Sequence, residues 1–459
     1  MLVSLVHRLI WIFFRPLLNL FANQVILGQE RVRQIEPPFI FVSNHESHFD
    51  PFIISDGVPY DLFSSKIIPI YFFTRDLFFE QPIFKHFLRL LGAFPGRIGH
   101  GLDEAALYPV GLLRQGTSIG IFPEWCFPSE PEASRMQLIA PHISRLSGRP
   151  IIPVFLFGIE DLRWSKIFLL RKRIIIAYGR PLWPNMADTV EEYASLVSRA
   201  LLYTRLECIH YLRKEEERFW RSYARFYYYL ELARPYARLK QAIAALLPER
   251  PRGRWLDLGT GAGAMVDLVL QKGDRREPSE IIAADFNAEM LALTRDRFAA
   301  SPRVRVENVN LTALLPYRAN AFDGVTANLV LPYITHFEGT VGRHALRRVL
   351  QEVFRVMKPG GFFLWSTPRK HVYFPIVALA SWRSFFDRQH PEYRSYALNI
   401  LRHALRIQAW GRREVYNFLS LTELELLLHE IGFRDLAFTT SLVGQVHVIS
   451  CFKPRWPRG

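Results

Sequence analysis

The hydrophobic pattern changes character several times along the chain. Residues 1–21 are almost wholly apolar, yet on a helical projection Ser4, His7, Arg8, Arg15 and Asn19 fall on one side. A charged stripe through such a segment argues against a spanning helix and for one lying in a membrane interface. It lacks the clean apolar core and small-residue cleavage site of a signal peptide. The competing reading is a helix packed on the protein's own core. Short apolar runs at 39–42, 67–73, 118–122, 148–154 and 174–179 read as buried strands, and helical periodicity fills 79–91 and 102–114. From about 186 to 248 the pattern is helical throughout, and a domain boundary is expected between 206 and 214. A strand at 254–258 then leads through a glycine-rich turn into a helix, a second strand covers 281–285, and a helix at 422–431 precedes strands at 436–441 and 445–452.

The 459 residues suffice for two or three domains, and a composition that is 49% hydrophobic and 14% aromatic builds full cores. A net charge of +15 and a pI near 9.8 call for an anionic partner, either nucleic acid or an anionic membrane face. Cys126, Cys208 and Cys451 are far apart, which fits a reducing compartment and suggests neither a disulfide framework nor a zinc site.

The strand at 39–42 ends in the loop Ser43-Asn44-His45-Glu46-Ser47-His48-Phe49-Asp50-Pro51-Phe52. The spacing lets Asp50 accept a hydrogen bond from one ring nitrogen of His45, leaving the other nitrogen to take a proton, as a general base with its orienting carboxylate. Two blander readings compete: Asp50 capping a helix that starts at Pro51, and a metal site from His45, His48 and Asp50, for which nothing nearby completes the ligand set.

Four separated blocks bear on the choice. Asn44-His45-x4-Asp50 is followed by Gly92 to Arg97, by Phe122-Pro123-Glu124 and by Ile152-Pro153-Val154. As an ordered set over 37–181 they resemble the glycerolipid acyltransferases, typified by lysophosphatidic acid acyltransferase. The resemblance implies an acyltransferase-type α/β fold with His45 as base and Asp50 as its orienter. It also implies Asn44, Arg97 and Glu124 at the acyl acceptor, with acyl-CoA or an acyl-carrier protein as donor. Where the family has Gly-Thr-Arg after the glutamate, this chain has Trp125-Cys126-Phe127, which puts a phosphorylated acceptor in doubt. Arg163, Lys166, Arg171, Lys172 and Arg173 flank an apolar run at 167–170 and suit a membrane-facing patch, or a solvated basic surface.

In the helical stretch, Arg218-Phe219-Trp220-Arg221 and Phe226-Tyr227-Tyr228-Tyr229 interleave aromatic and basic residues. That suits nucleic-acid stacking, but helices clasping a neighbouring domain are the preferred reading. Beyond it come Asp257-Leu258-Gly259-Thr260-Gly261-Ala262-Gly263, Asp285 at a strand end, Phe322-Asp323-Gly324-Val325 and Met357-Lys358-Pro359-Gly360-Gly361. A strand, a glycine turn and a helix N-terminus admit a ligand close to the backbone, and the glycines alone would also fit a dinucleotide fold. The ordered set over 219–454 resembles the class I methyltransferases that use S-adenosylmethionine. That resemblance implies a Rossmann-like fold with a mixed seven-stranded sheet. Gly259, Gly261 and Gly263 would shape the turn around the methionine end, with Asp257 near its amino group. Asp285 would accept from the ribose hydroxyls and Phe286 would pack on the adenine, with Asn310 and Asn328 nearby. An insertion at 370–416 would cover the substrate.

The reading is therefore an α/β protein of two domains. An amphipathic helix at 1–25 precedes an acyltransferase domain at 26–205, a helical connector at 206–248 and a methyltransferase domain at 249–459. The expected enzyme works on the cytoplasmic face of a membrane, with membrane lipids and an anionic surface as partners and no metal or nucleic acid. It acylates a lysolipid and methylates a lipid head-group amine, for which Tyr227, Tyr228, Tyr333 and His336 are further pocket candidates. A quinone-like or nucleic-acid methyl acceptor beside an inactive or lipid-sensing first half is the alternative.

Overall fold

A computed structural model describes residues 2–21, 23–59, 67–74, 79–80, 82–97, 100–123, 131–159, 173–231, 233–274, 276–338, 340–382 and 392–455. The chain divides into two compact units, 1–211 and 212–459.

The first unit opens with helix α1 (Leu2–Phe21), strand β1 (Asn23–Leu27) and short helix α2 (Gln29–Arg33). Strand β2 (Ile40–Ser43) follows, then α3 (Asp50–Gly57), β3 (Ile70–Thr74), α4 (Pro82–Leu90), β4 (Ala93–Pro95) and α5 (Leu102–Arg114). Strand β5 (Ser118–Ile121), helix α6 (Pro131–Ser147) and strands β6 (Ile151–Phe157) and β7 (Arg173–Tyr178) complete a seven-stranded sheet in the order β1-β7-β6-β2-β5-β3-β4. Strand β2 is buried because its residues are apolar on both faces. Phe39 and Phe41 pack with Ile152 and Val154 on one side, while Ile40 and Val42 pack with Ile119 and Ile121 on the other. The pairings among β2, β3, β4, β5 and β6 are parallel and β6 meets β7 antiparallel, so these five strands end at one edge. Ligands of such sheets sit beyond the strands' carboxyl ends.

Helix α7 (Val190–Glu231) is continuous through the expected boundary region, and α8 (Arg234–Leu246) follows. The second unit then alternates β8 (Arg254–Leu258), α9 (Ala264–Lys272), β9 (Glu280–Asp285), α10 (Ala288–Arg297), β10 (Val304–Asn308) and β11 (Phe322–Asn328). A small ribbon of β12 (His336–Phe337) and β13 (Thr340–Val341) precedes α11 (Gly342–Val356) and β14 (Met357–Pro368). Helices α12 (Phe374–Ala380), α13 (Glu392–Arg412) and α14 (Leu421–Ile431) lead to β15 (Arg434–Ser441) and β16 (Val446–Phe452). The sheet runs β10-β9-β8-β11-β14-β16-β15, parallel except that β16 pairs antiparallel with both neighbours. This is the mixed seven-stranded, Rossmann-like sheet that the resemblance to the class I methyltransferases implies.

Candidate active sites

In the first unit β2 delivers the histidine loop to the carboxyl edge of the sheet. The Asn44 amide donates to the Leu156 carbonyl at 2.9 Å and accepts from the Leu156 N–H at 2.8 Å, so the side chain ties the loop to β6. His45 Nδ1 lies 2.8 Å from Asp50 Oδ2, which also accepts from the backbone N–H groups of Glu46 at 2.7 Å and Ser47 at 3.1 Å. The carboxylate therefore folds back over the loop, although Asp50 is also the first residue of α3. Asp50 is fully buried, whereas the His45 side chain keeps 29% exposure and stacks on Phe122 with ring centroids 4.6 Å apart. The result is an oriented imidazole reachable from solvent, the geometry a general base needs. Among the described residues no cluster of metal-binding side chains occurs.

Arg97 follows β4 at the same edge, at a positive φ of 47° and exposed, with Glu104 at 3.9 Å. Strand β5 runs on through Phe122 and Pro123; Glu124 and Trp125-Cys126-Phe127 lie outside the described residues, as do Arg163, Lys166, Arg171 and Lys172. Arg173 is described and buried, with its guanidinium 5.6 Å from the Tyr211 ring centroid. It is not a surface cation.

In the second unit the glycine turn between β8 and α9 is tight. Gly259 has a φ of 62°, and a Cβ there would run into Val330; a Cβ at Gly263, whose φ is 82°, would run into Phe298. Asp257 is buried at the end of β8 and accepts from the Thr326 hydroxyl at 2.7 Å through Oδ1, while Oδ2 makes no well-formed hydrogen bond. Burial pushes its carboxyl up to about 7, opposed by the Thr260 and Thr326 hydroxyls and reinforced by the Asp285 charge. Asp285 ends β9 and accepts from the Gly261 N–H at 3.0 Å and the Asn287 N–H at 2.9 Å. Burial raises its pKa, and these backbone donors oppose the rise.

An open cavity lies at this end of the sheet. Gly259, Gly261, Asp285, Phe286, Asn310 and Asn328 line it, whereas Asp257 and Gly263 do not; Gly263 admits α9 beside Phe298. Asn310 accepts from the Thr312 N–H and hydroxyl, and Asn328 donates to the Tyr236 hydroxyl at 3.0 Å. Helix α7 supplies another wall through Glu216, Trp220, Tyr223 and Ala224. Glu216 was not among the residues expected from the sequence to reach a site. The spacing 216, 220, 223, 224 was the available signal, because it puts these residues on one helix face. Tyr333 lines the cavity, and His336 lies buried with Nδ1 4.0 Å from Glu216. The side chains of Tyr227 and Tyr228 lie outside the described residues. The insertion differs from expectation: none of its described residues lines the cavity, and Val372, Ile407, Trp410 and Tyr416 instead pack with Phe219 and Tyr333 behind the wall. Phe219 is thus a core residue and not a stacking platform.

Two family patterns match the chain. The acyltransferase family pattern matches residues 25–156, and the methyltransferase domain pattern matches 228–437. A ubiquinone/menaquinone biosynthesis C-methyltransferase of Geobacter sulfurreducens is 30% identical over 200 residues, 42% of this chain and 69% of its own. The chain belongs to the S-adenosylmethionine-dependent methyltransferases and carries an acyltransferase domain ahead of the methyltransferase domain. A demethylmenaquinone methyltransferase of Symbiobacterium thermophilum is 28% identical over 205 residues, 43% of this chain and 75% of that protein. A solved S-adenosylmethionine-dependent methyltransferase of Aquifex aeolicus superposes with a TM-score of 0.31 at 19% identity, covering 49% of this chain and 92% of that one.

The residues present fit the cofactor this family uses. The glycine turn brings Gly259 and Gly261 to the cavity without side chains in the way. Asp285 retains lone pairs beyond its two backbone donors, and the cavity gives a planar base the exposed face of Phe286. Bound S-adenosylmethionine supplies an electrophilic methyl group.

Proposed function

We propose that the protein works at a membrane surface, where the first unit transfers an acyl group from a thioester to a lysolipid hydroxyl and the second methylates a lipid head-group amine. The observation that carries the acyl-transfer reading is the 2.8 Å contact between His45 and the buried Asp50. His45 takes the proton of the attacking hydroxyl, the oxygen forms a new bond to the acyl carbon, and the thiolate leaves; Asp50 stabilises the imidazolium. Acyl-CoA or an acyl-carrier protein serves as donor, and Arg97 with Glu124 positions the acceptor. Helix α1 supports the membrane reading. His7 and Arg15 turn toward the unit, Arg15 lying 3.9 Å from Asp56, while Leu5, Leu9, Ile12, Phe13 and Leu20 are 45–68% exposed on the outer side. An apolar face turned outward suits burial among acyl chains. Among the described residues no helix is long and apolar enough to cross a membrane.

Trp125-Cys126-Phe127 in place of a small cationic loop argues for an acceptor other than a phosphate monoester, since an apolar loop would desolvate the phosphate without pairing its charge. Assaying lysophosphatidate beside an aminolipid bearing a free hydroxyl, with one acyl thioester, tests this. Faster acylation of the aminolipid is expected, and preference for lysophosphatidate would contradict the acceptor argument while leaving His45 in place. A second reading of the methyl acceptor, a quinone-like ring, is favoured by the relatives that methylate quinone precursors.

A further inference from the structure

None of the described residues of the insertion at 370–416 lines the cavity, and its outer faces follow a pattern of their own. Helix α12 (Phe374–Ala380) is pinned at its start. The Tyr373 N–H donates to the Gln445 side chain and the Phe374 N–H to the Gln408 side chain, both at 2.7 Å, and both glutamines are buried. Val377 packs on the core of the second unit and Ser381 is buried one turn on. Ile376 and Leu379 lie on the opposite side of the helix, with Tyr373 and Trp382 at its two ends. These four side chains are 39–71% exposed.

Helix α13 (Glu392–Arg412) packs beside α12 and adds charge to the arrangement. Ile400, Ile407, Gln408 and Trp410 are buried, whereas Ser395, Leu398, Arg402, Leu405 and Arg412 are exposed. The outward spacings of three, four, three and seven put leucines and arginines on one helical face. Leu398 and Leu405 are 56% and 40% exposed there. Among the described residues of the insertion, no exposed one is acidic. Its sequence has eight Lys and Arg against three Asp and Glu, so 47 residues carry a third of the chain's net charge of +15.

Apolar side chains held outward by a fixed backbone gain when a hydrocarbon phase covers them. Three properties select the occupant. Arginines interleaved with leucines suit an anionic lipid surface, where the aliphatic stems lie along the apolar layer and the guanidinium groups meet the head groups. Tyr373 and Trp382, at either end of the apolar stretch, are residue types that settle at head-group level. A positive face also repels a second copy of itself. We propose that the outer faces of α12 and α13 form a membrane-docking surface of the second unit, whose partner is a bilayer carrying anionic lipids. This surface is separate from α1, so it stands or falls independently of the attachment proposed there, and it brings the second unit to lipid by itself.

The test uses the full-length protein and sedimentation with vesicles of phosphatidylcholine, alone or mixed with phosphatidylglycerol. Leu379→Asp with Trp382→Asp should lower partitioning onto the anionic vesicles about tenfold or more. Arg402→Glu with Arg412→Glu should lose about tenfold or more on anionic vesicles and change little on neutral ones. Leu9→Asp with Phe13→Asp should leave measurable anionic binding, which adding Leu379→Asp and Trp382→Asp abolishes. All the substituted side chains are exposed, and circular dichroism melts confirm that each variant is folded. Should a variant melt early, slower hydrogen exchange over 373–382 and 395–412 of wild type on anionic vesicles decides in its place. Wild-type partitioning by either insertion variant overturns the proposal, and loss of all binding in the α1 variant would then give the contact to α1 alone. Unchanged partitioning with a shift from dimer to monomer in light scattering also overturns it, giving the face to a second copy. Loss of binding by the insertion variants with none by the α1 variant supports it and removes α1 as the anchor. Failure of wild type to bind either vesicle overturns both membrane contacts.

Discussion

At the scale of single residues, both sites hold buried carboxylates. Asp50 engages His45 and two backbone N–H groups through one oxygen, so it holds geometry. General-base assistance is typically worth about a hundredfold to ten-thousandfold. His45→Ala should therefore remove nearly all acyl transfer in a thioester-consumption assay, with Asp50→Asn losing much of it, and activity within twofold of wild type in His45→Ala would rule out the base. Asp257 is buried at the end of β8. Its folded pKa of about 7 lies above the ordinary 3.8, so the stabilisation from its protonated form is complete below 3.8 and is lost as the pH rises through about 7. Thermal melts across that range should show the second unit losing stability as the pH rises towards 7, and Asp257→Asn should flatten the profile. The Asn44-His45-x4-Asp50 spacing already contained the first contact, because both partners sit on one loop. Glu216 was opaque because its neighbour Thr335 arrives from 119 residues further on, with His336 beside it.

At the scale of elements, legibility followed burial. Helix α5 has the limits its periodicity gave, Leu102–Arg114, because a buried face of Ala105, Ala106, Val110 and Leu113 repeats at helical spacing. Strand β2 was equally plain from its unbroken apolar run. Strand β1 and helix α6 were not: Asn23–Leu27 is short and half-polar, and α6 has prolines at both 131 and 141. Helix α1 was expected from its polar stripe, but the stripe alone did not say which side faces the protein. With Leu9 and Phe13 outward, each residue that enters acyl chains contributes about 1.5–3 kcal/mol. Leu9→Asp and Phe13→Asp should each lower partitioning onto anionic vesicles by roughly tenfold or more in a sedimentation assay. Unchanged partitioning of the double variant would move the membrane contact elsewhere.

At the scale of the whole molecule, two seven-stranded sheets hold two candidate sites built from separate residues. Asp285 belongs to the second unit alone. Asp285→Ala should abolish methyl transfer and leave acylation within about twofold, and His45→Ala should do the converse; loss of both activities in either folded variant would point to one composite site. The family of each half was legible from motif order. The substrates were not, because they depend on α7 and on the turn after β11, which meet only in the folded chain. The two proposed reactions would meet in one product if a single lipid receives both groups. The most direct measurement is mass spectrometry of lipids from a host expressing the protein with methyl-labelled methionine, beside hosts expressing His45→Ala or Asp285→Ala. The account requires a lipid carrying both the added acyl chain and the labelled methyl on an amine, with the chain missing in the first variant and the label missing in the second. Label appearing only in a quinone, or no lipid changed by either variant, would contradict it.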